Sequence, residues 1–226
     1  MVPVLLTIAG SSCSGKTTAA RACAGVSRLV IHDFDEIGVP STADIRWRHR
    51  SMDAWLRRVL RYQDEGLDVL LTGQSPLGEV LATPSAVHLN GIAACLLDVA
   101  DDERLRRLER RDPGRWQPHT LQSLVGWACW HREHAADPRY RPEVLTADGW
   151  DQMQWARWCT WLPGDPRWNV TIIDTTGQPV EQTALTIQRW IAQARAERTS
   201  HRLALAKGWA TPSPPTDHCD EHSTTA

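Results

Sequence analysis

The stretch Gly10-Ser11-Ser12-Cys13-Ser14-Gly15-Lys16-Thr17 constrains this chain more than any other. It fits the pattern G-x-x-x-x-G-K-[ST], and its flanks suit that pattern on both sides. Before it runs Val4-Leu5-Leu6-Thr7-Ile8-Ala9, apolar enough for a buried parallel strand. After it, Thr18 to Ala24 predicts a helix stopped by Gly25. Two glycines let the backbone curl so that several N–H groups converge on one anion, and the following helix adds its positive end. Gly10, Ser11, Ser12, Cys13, Ser14, Gly15, Lys16, Thr17 and Thr18 are therefore expected to cradle phosphates. Lys16 can reach the β- and γ-phosphates as a catalytic charge, and the Thr17 hydroxyl can ligate Mg²⁺. Such a chain binds a nucleoside triphosphate.

The 226 residues allow one α/β domain with a sizeable core and some decoration. A formal net charge of -2 gives no reason to expect a polyanionic partner such as nucleic acid. The start, Met1-Val2-Pro3, lacks the charged and apolar regions of a signal peptide, so none is expected, and no apolar run is long enough to span a bilayer. The six cysteines are scattered without a C-x-x-C pair, which fits reduced thiols in a cytoplasm. A cytoplasmic monomer or homodimer is the expectation.

Further strands are expected at 28–32, 68–72, 92–99 and 170–174. Helices are expected at 44–65, with Trp55, Leu56, Val59 and Leu60 as its core stripe, at 101–111 and at 180–196. This alternation argues for a five-stranded parallel sheet covered by helices on both faces. The stretch between Arg115 and Trp168 fits least: a helix over 120–134, a Pro-rich turn and another short helix near 150–161. Tryptophan is unusually frequent, twelve against one Phe and two Tyr, and Trp116, Trp127, Trp130, Trp150, Trp155, Trp158, Trp161 and Trp168 all fall in that stretch. A main domain over 1–197 is expected, holding a Trp-rich helical lid or acceptor region at about 115–168. A largely disordered tail is expected over 198–226.

With the P-loop, the acidic turn after the second strand, the arginine helix and the turn Asp174-Thr175-Thr176-Gly177 in place, the chain resembles the P-loop kinases. These include nucleoside monophosphate kinases, shikimate kinase and chloramphenicol phosphotransferase-like proteins. The resemblance covers roughly 4–111 and 169–191 and implies a three-layer P-loop NTPase fold using ATP and Mg²⁺. In adenylate kinase-like proteins an Arg-x-x-x-Arg segment touches ATP, and Arg107 and Arg111 stand at similar spacing after Asp98-Val99-Ala100-Asp101-Asp102. The turn through Gly177 and Gln178 looks similar to the one bordering adenine in those proteins, so the base is expected between it and Arg107. Arg111 is expected to act in catalysis and Arg115 to belong to a lid; Arg104, Arg106 and Arg110 read equally as a solvated face.

The acceptor side separates the possible reactions. Nucleoside monophosphate kinases end strand three in Asp-Gly-x-Pro-Arg; here Thr72-Gly73-Gln74-Ser75-Pro76 has neither charged residue and leaves Gln74 as a substrate contact. The carboxylates lie instead at Asp33-Phe34-Asp35, similar to the Asp-x-Asp of shikimate kinase, which implies Asp33 for the metal and Asp35 for the acceptor hydroxyl. Two residues apart on an extended segment, both would project to one side. A phosphate acceptor needs cationic clamps, whereas a hydroxyl gains from a positioned carboxylate. An ATP-dependent kinase with a small-molecule alcohol acceptor is thus expected. The alternatives are a nucleoside monophosphate kinase-like enzyme and a nucleotide-binding ATPase or switch. Arg46 and Arg50 share a helix face and one of them is expected to touch substrate, with Arg48 pointing away into solvent.

The tryptophans at 155, 158 and 161 recur every three residues, which suits a packed helix face, while Trp and Arg walls also suit a flat or greasy acceptor. His131 and His134 read as surface histidines in the absence of a third metal ligand. His218-Cys219-Asp220-Glu221-His222 offers ligand types in the tail, and Cys13 lies inside the P-loop, where a helix N-terminus favours the thiolate.

Overall fold

The computed structural model describes residues 2–210. Its strands are β1 (Leu5–Ala9), β2 (Leu29–Asp33), β3 (Asp68–Thr72), β4 (Ile92–Asp98) and β5 (Val170–Asp174). They form one sheet in the order β2-β3-β1-β4-β5, with every neighbouring pair parallel. A parallel sheet covered on both sides needs apolar residues at both parities of its central strands. β1 and β3 meet that need, with all of their residues buried. Alternation along the strands sends Leu5, Val69, Leu71, Ile92 and Ala94 into one core and Leu6, Ile8, Leu70, Cys95 and Leu97 into the other.

Helices α1 (Lys16–Arg21) and α7 (Val180–Thr199) close the second core through Ala19, Ala20, Ile187, Trp190 and Ile191. The first core is closed by α2 (Ile45–Asp64) and α3 (Leu77–Ala82), which bring Met52, Trp55, Leu77 and Val80. The remaining helices are α4 (Asp101–Arg111), α5 (Pro118–Ala136) and α6 (Glu143–Thr146). This is the three-layer α/β arrangement expected from the sequence, and β3, α4 and β5 have the expected bounds. The Asp44 side chain starts α2 by accepting from the Trp47 N–H at 2.6 Å.

The middle of the chain differs in detail. Residues 150–161 form turns and a single 3₁₀ turn at Trp155–Arg157, not a helix. A three-residue recurrence is the period of 3₁₀ structure as well as an approximation to an α-helix. Trp130, Trp158, Trp161 and Trp168 are buried in the first core, with the Trp158 ring 5.1 Å from that of Trp168. His131 and His134 are buried too, contrary to the surface position expected for them. Burial holds both imidazoles neutral, pushing His134 down to about 4 and His131 well below its usual range. Four elements escape the sequence pattern: α3, α6 and the 3₁₀ helices at Phe34–Ile37 and Pro84–His88.

The packed body extends past the boundary drawn at 197. The Ile92 N–H donates to the Leu205 carbonyl at 3.0 Å, and Lys207 N–H to Asn90 at 3.1 Å. Leu203, Leu205 and Trp209 are buried. Residues 211–226, with the His218 to His222 cluster, lie outside the described residues. Among the described residues no helix is long and apolar enough to cross a membrane.

Two helical glycines should respond oppositely to alanine. A Cβ on Gly78 of α3 would stand 2.7 Å from Trp158 and 3.1 Å from Trp168, whereas one on Gly126 of α5 meets nothing within 4 Å. Glycine to alanine in a helix ordinarily gains about 0.5–1 kcal/mol, and overpacking a core costs about 1–3 kcal/mol. Gly126→Ala should therefore raise the midpoint of thermal unfolding and Gly78→Ala should lower it, as followed by circular dichroism.

Candidate active site

A cleft of about 860 Å³ opens where the strand order runs outward on either side of β1, beyond the carboxyl ends of the strands. Its floor is the loop between β1 and α1. Gly10 (φ 151°) and Gly15 (φ 92°) occupy backbone conformations that favour glycine, and a Cβ on Gly10 would strike the Leu97 carbonyl oxygen. Cys13 also has positive φ, at 62°, and its thiol lies in a part-exposed position on the cleft wall. Ser12, Cys13, Ser14, Gly15, Lys16, Thr17 and Thr18 line the cleft; Gly10 and Ser11 are buried beneath it. Lys16 folds back over the loop and donates to the carbonyls of Gly10 (2.7 Å) and Ser11 (3.1 Å). Burial lowers its ammonium pKa to about 8, against the opposing pull of Asp33.

The carboxylates stand opposite. Asp33, at the end of β2, accepts from the hydroxyls of Thr17 (2.9 Å) and Thr72 (2.8 Å) through one oxygen. Its other oxygen accepts from the Asp35 N–H at 3.1 Å. The chain does not stay extended after Asp33, as the sequence pattern suggested; Asp33 caps a 3₁₀ helix at Phe34–Ile37, with Glu36 completing the capping box. Both carboxylates line the cleft nonetheless. The Asp35 carboxylate makes no hydrogen bond or ion pair among the described residues; only the residue's backbone is engaged, with Asp33 and Gly38. Its pKa is raised by burial and then by its neighbour Asp33. The Thr17 hydroxyl and Asp33 carboxylate form a hard oxygen pair of the kind Mg²⁺ accepts when phosphates and water complete its shell.

Arg48 is the arginine of α2 that reaches the cleft, not Arg46 or Arg50. The helix buries His49, Met52, Trp55, Leu56 and Val59, and Arg48 lies at the open end of that buried stripe, one turn before Met52 and two before Trp55. Arg46 and Arg50 are exposed, with Arg46 reaching the Asp148 carbonyl at 3.3 Å. The Arg48 guanidinium is held by Glu79, at 2.9 and 3.0 Å, and by Ser75 Oγ at 3.0 Å. Gln74 lines the same end of the cleft.

At the other end Arg107 donates to the Thr175 carbonyl (2.8 Å) and hydroxyl (3.1 Å) and to the Cys13 carbonyl (3.4 Å). It thereby ties the P-loop to the turn carrying Gly177 and Gln178, both of which line the cleft. Arg111 stands at the mouth, paired with Asp112 at 2.8 Å. Three contributors were not singled out from sequence. Arg48 is one, and Trp127 of α5, which donates to Gln74 Oε1 at 2.9 Å, is another. The third is Arg104, 0% exposed, which donates to the Ser12 carbonyl (2.7 Å), Asp98 (2.7 Å) and the Val99 carbonyl (3.1 Å). Its spacing from Leu108, the other buried residue of α4, is the one signal that could have found it.

No protein-family model matches this chain, and no curated protein matches it. Solved structures do. A sugar kinase from a Janibacter species is 19% identical, with 87% of this chain and 98% of that chain covered and a TM-score of 0.51. A gluconokinase from Sinorhizobium meliloti is 17% identical over 88% of this chain and 98% of its own, with a TM-score of 0.53. A putative kinase from Chloroflexus aurantiacus is 16% identical over 87% and 97%, with a TM-score of 0.52. The fold of this chain is that of the P-loop kinases.

An anion entering the loop would favour the charged form of Lys16, so binding near pH 8 should take up a proton. Calorimetric titration with ATP in buffers of differing ionisation enthalpy should show that uptake, and Lys16→Met should remove it. In the free protein the depressed pKa means the unfolded chain binds more protons between about 8 and 10.5, so this group's contribution to stability rises with pH across that window.

Proposed function

We propose that this chain is an ATP- and Mg²⁺-dependent small-molecule kinase that transfers the γ-phosphoryl group to an acceptor hydroxyl. The observation that carries the reading is the unequal charge of the two ends of the cleft. On the donor side Lys16, Arg107, Arg110 and Arg111 face the cavity with one carboxylate, Glu103, which pairs Arg107 at 3.0 Å, so the cations stay in excess there. On the acceptor side stand Asp33, Asp35, Gln74 and one arginine, Arg48, already compensated by a fully buried Glu79. A phosphate acceptor brings two negative charges beside a triphosphate and needs free cations to hold it. Here a free carboxylate waits instead, and a hydroxyl is what a carboxylate can activate.

In this reading Asp35 accepts the hydroxyl proton as the acceptor oxygen bonds to the γ-phosphorus. The bond from that phosphorus to the β–γ bridging oxygen breaks, and ADP leaves. Lys16 unfolds from its contacts with Gly10 and Ser11 to meet the β- and γ-phosphates, and Arg111 at the cleft mouth meets charge on the transferred group. Thr17 and Asp33 would hold Mg²⁺, which supplies charge compensation at the phosphates. The backbone of residues 10–18 cradles the phosphates, and Arg107 with Gly177 and Gln178 borders the base. The similar structures carry the names of a sugar kinase and a gluconokinase, which makes D-gluconate and hexoses the first acceptors to try.

Asp35→Asn keeps the shape of the side chain and removes the base. It should lower kcat for the alcohol by about 10²–10⁴ with ATP binding nearly intact. Asp33→Asn should instead raise the Mg²⁺ concentration needed for half-maximal rate. Rapid phosphorylation of a nucleoside monophosphate, unharmed by Asp35→Asn, would overturn the hydroxyl reading in favour of a phosphate acceptor.

A further inference from the structure

The amide of Gln74 is not free to choose its orientation. Its Oε1 accepts the indole N–H of Trp127 at 2.9 Å. An indole nitrogen can only donate, so the amide must turn its oxygen toward the tryptophan and its NH₂ away from it. Gln74 lines the same cleft as Asp35 and Arg48, and among the described residues no group accepts from that NH₂. Trp127 is held in turn. Its ring stacks on Trp130 with centroids 4.8 Å apart and planes 6° from parallel, and it meets the edge of His131 at 4.6 Å. Trp130 stacks on His134 at 4.5 Å. The helix that carries these rings is fastened beside the P-loop, where the Ser11 hydroxyl donates to the Leu124 carbonyl at 3.3 Å and Arg132 grips Asp98 at 3.1 Å.

We propose that Trp127 is a positioning residue that locks Gln74 as a hydrogen-bond donor in the acceptor subsite. A glutamine free to flip would greet a donor or an acceptor equally; this one offers N–H alone. Beside the hydroxyl that reacts, the acceptor molecule therefore presents an oxygen lone pair to Gln74, from a carboxylate, carbonyl, ether or second hydroxyl. A molecule with only C–H or N–H at that point leaves the amide unpaired and is rejected. The proposal rests on the hydroxyl-kinase reading for what enters the cleft, while the lock itself belongs to the free protein.

Two measurements test it. The first needs no acceptor: the Trp127 indole N–H resonance of isotope-labelled protein should sit downfield and exchange slowly. Gln74→Ala should move it upfield and speed its exchange, whereas Gln74→Glu should leave it in place, since a carboxylate also accepts. An indole resonance indifferent to Gln74→Ala overturns the lock. The second uses D-gluconate as the probe acceptor. Trp127→Phe keeps an aromatic ring in the stack but loses the N–H along with one ring of the indole; it should raise KM for gluconate roughly three- to tenfold, with KM for ATP held. Gln74→Glu, with the lock intact but the donor gone, should raise KM for gluconate at least as much. Combining Trp127→Phe with Gln74→Ala should cost no more than Gln74→Ala alone, because both act through one amide. Additive losses, or an unchanged KM in Trp127→Phe, overturn the proposal. Absence of any gluconate turnover by the wild-type protein would count against that acceptor and the kinase reading, and the indole resonance would still decide the lock.

Discussion

A guanidinium taken wholly out of water costs several kcal/mol unless its charge and its donors are met. Arg104 is in that position; its two terminal nitrogens are met by hydrogen bonds, its Nε only by the Asp101 carboxylate at 4.0 Å, and these partners organise the active end of the molecule. One arm holds the Ser12 carbonyl of the P-loop; the other holds Asp98 at the end of β4 and the Val99 carbonyl beyond it. Asp98 is shared with Arg132 of α5, which also grips Asp101 of α4 at 3.1 Å. Burial pushes the Arg104 pKa below its usual value, with Asp98 and Asp101 pulling the other way. A loop that must present its N–H groups outward is thus fixed from behind by its carbonyls. The fixing group comes from a helix that follows a different strand.

The same fastening sets α5 behind the cleft, where it braces the lining without contributing to it. It is tied to Ser11, to Asp98 and Asp101, and to Gln74, so donor loop and acceptor loop are referred to one rigid element. Distances between the phosphate cradle and the acceptor end are then set by helix geometry and side-chain packing, with little left to loop motion. That suits a reaction whose catalysis rests on positioning and charge. The buried neutral histidines 131 and 134 belong to this helix as ring-shaped filler between tryptophans.

Much of this was legible in the sequence because it is local. The P-loop, the β3 run Asp68–Thr72, the charged helix Asp101–Arg111 and the final strand Val170–Asp174 each announce themselves by a short pattern with clear breakers. Asp33 and Asp35 are legible as a pair from their spacing, but a capped 3₁₀ turn, not an extended strand, brings both to the cleft. What was not legible depends on phase or on distance. Choosing Arg48 over Arg46 and Arg50 required aligning each arginine with the buried stripe of α2, not only with one another. The Trp127 contact joins residues 53 positions apart, which no window spans. Helix α3 is buried on every side, Glu79 included, so it has no amphipathic period to detect, and Pro76 and Gly78 read as breakers.

The central place of β1 has a consequence for how the chain comes into being. β1 is made first, yet its two neighbours, β3 and β4, lie more than 60 and 80 residues downstream, and the first core receives Leu205 and Trp209 only near the end of the described chain. At ribosomal rates of 5–20 residues per second, roughly 10–40 s separate synthesis of the phosphate loop from arrival of the last core tryptophan. For several of those seconds the Leu5–Ala9 segment is an apolar strand with both edges unpaired. The nascent chain therefore presents this apolar segment before either of its strand partners has been made, and the brevity of that segment, five residues, limits the hazard.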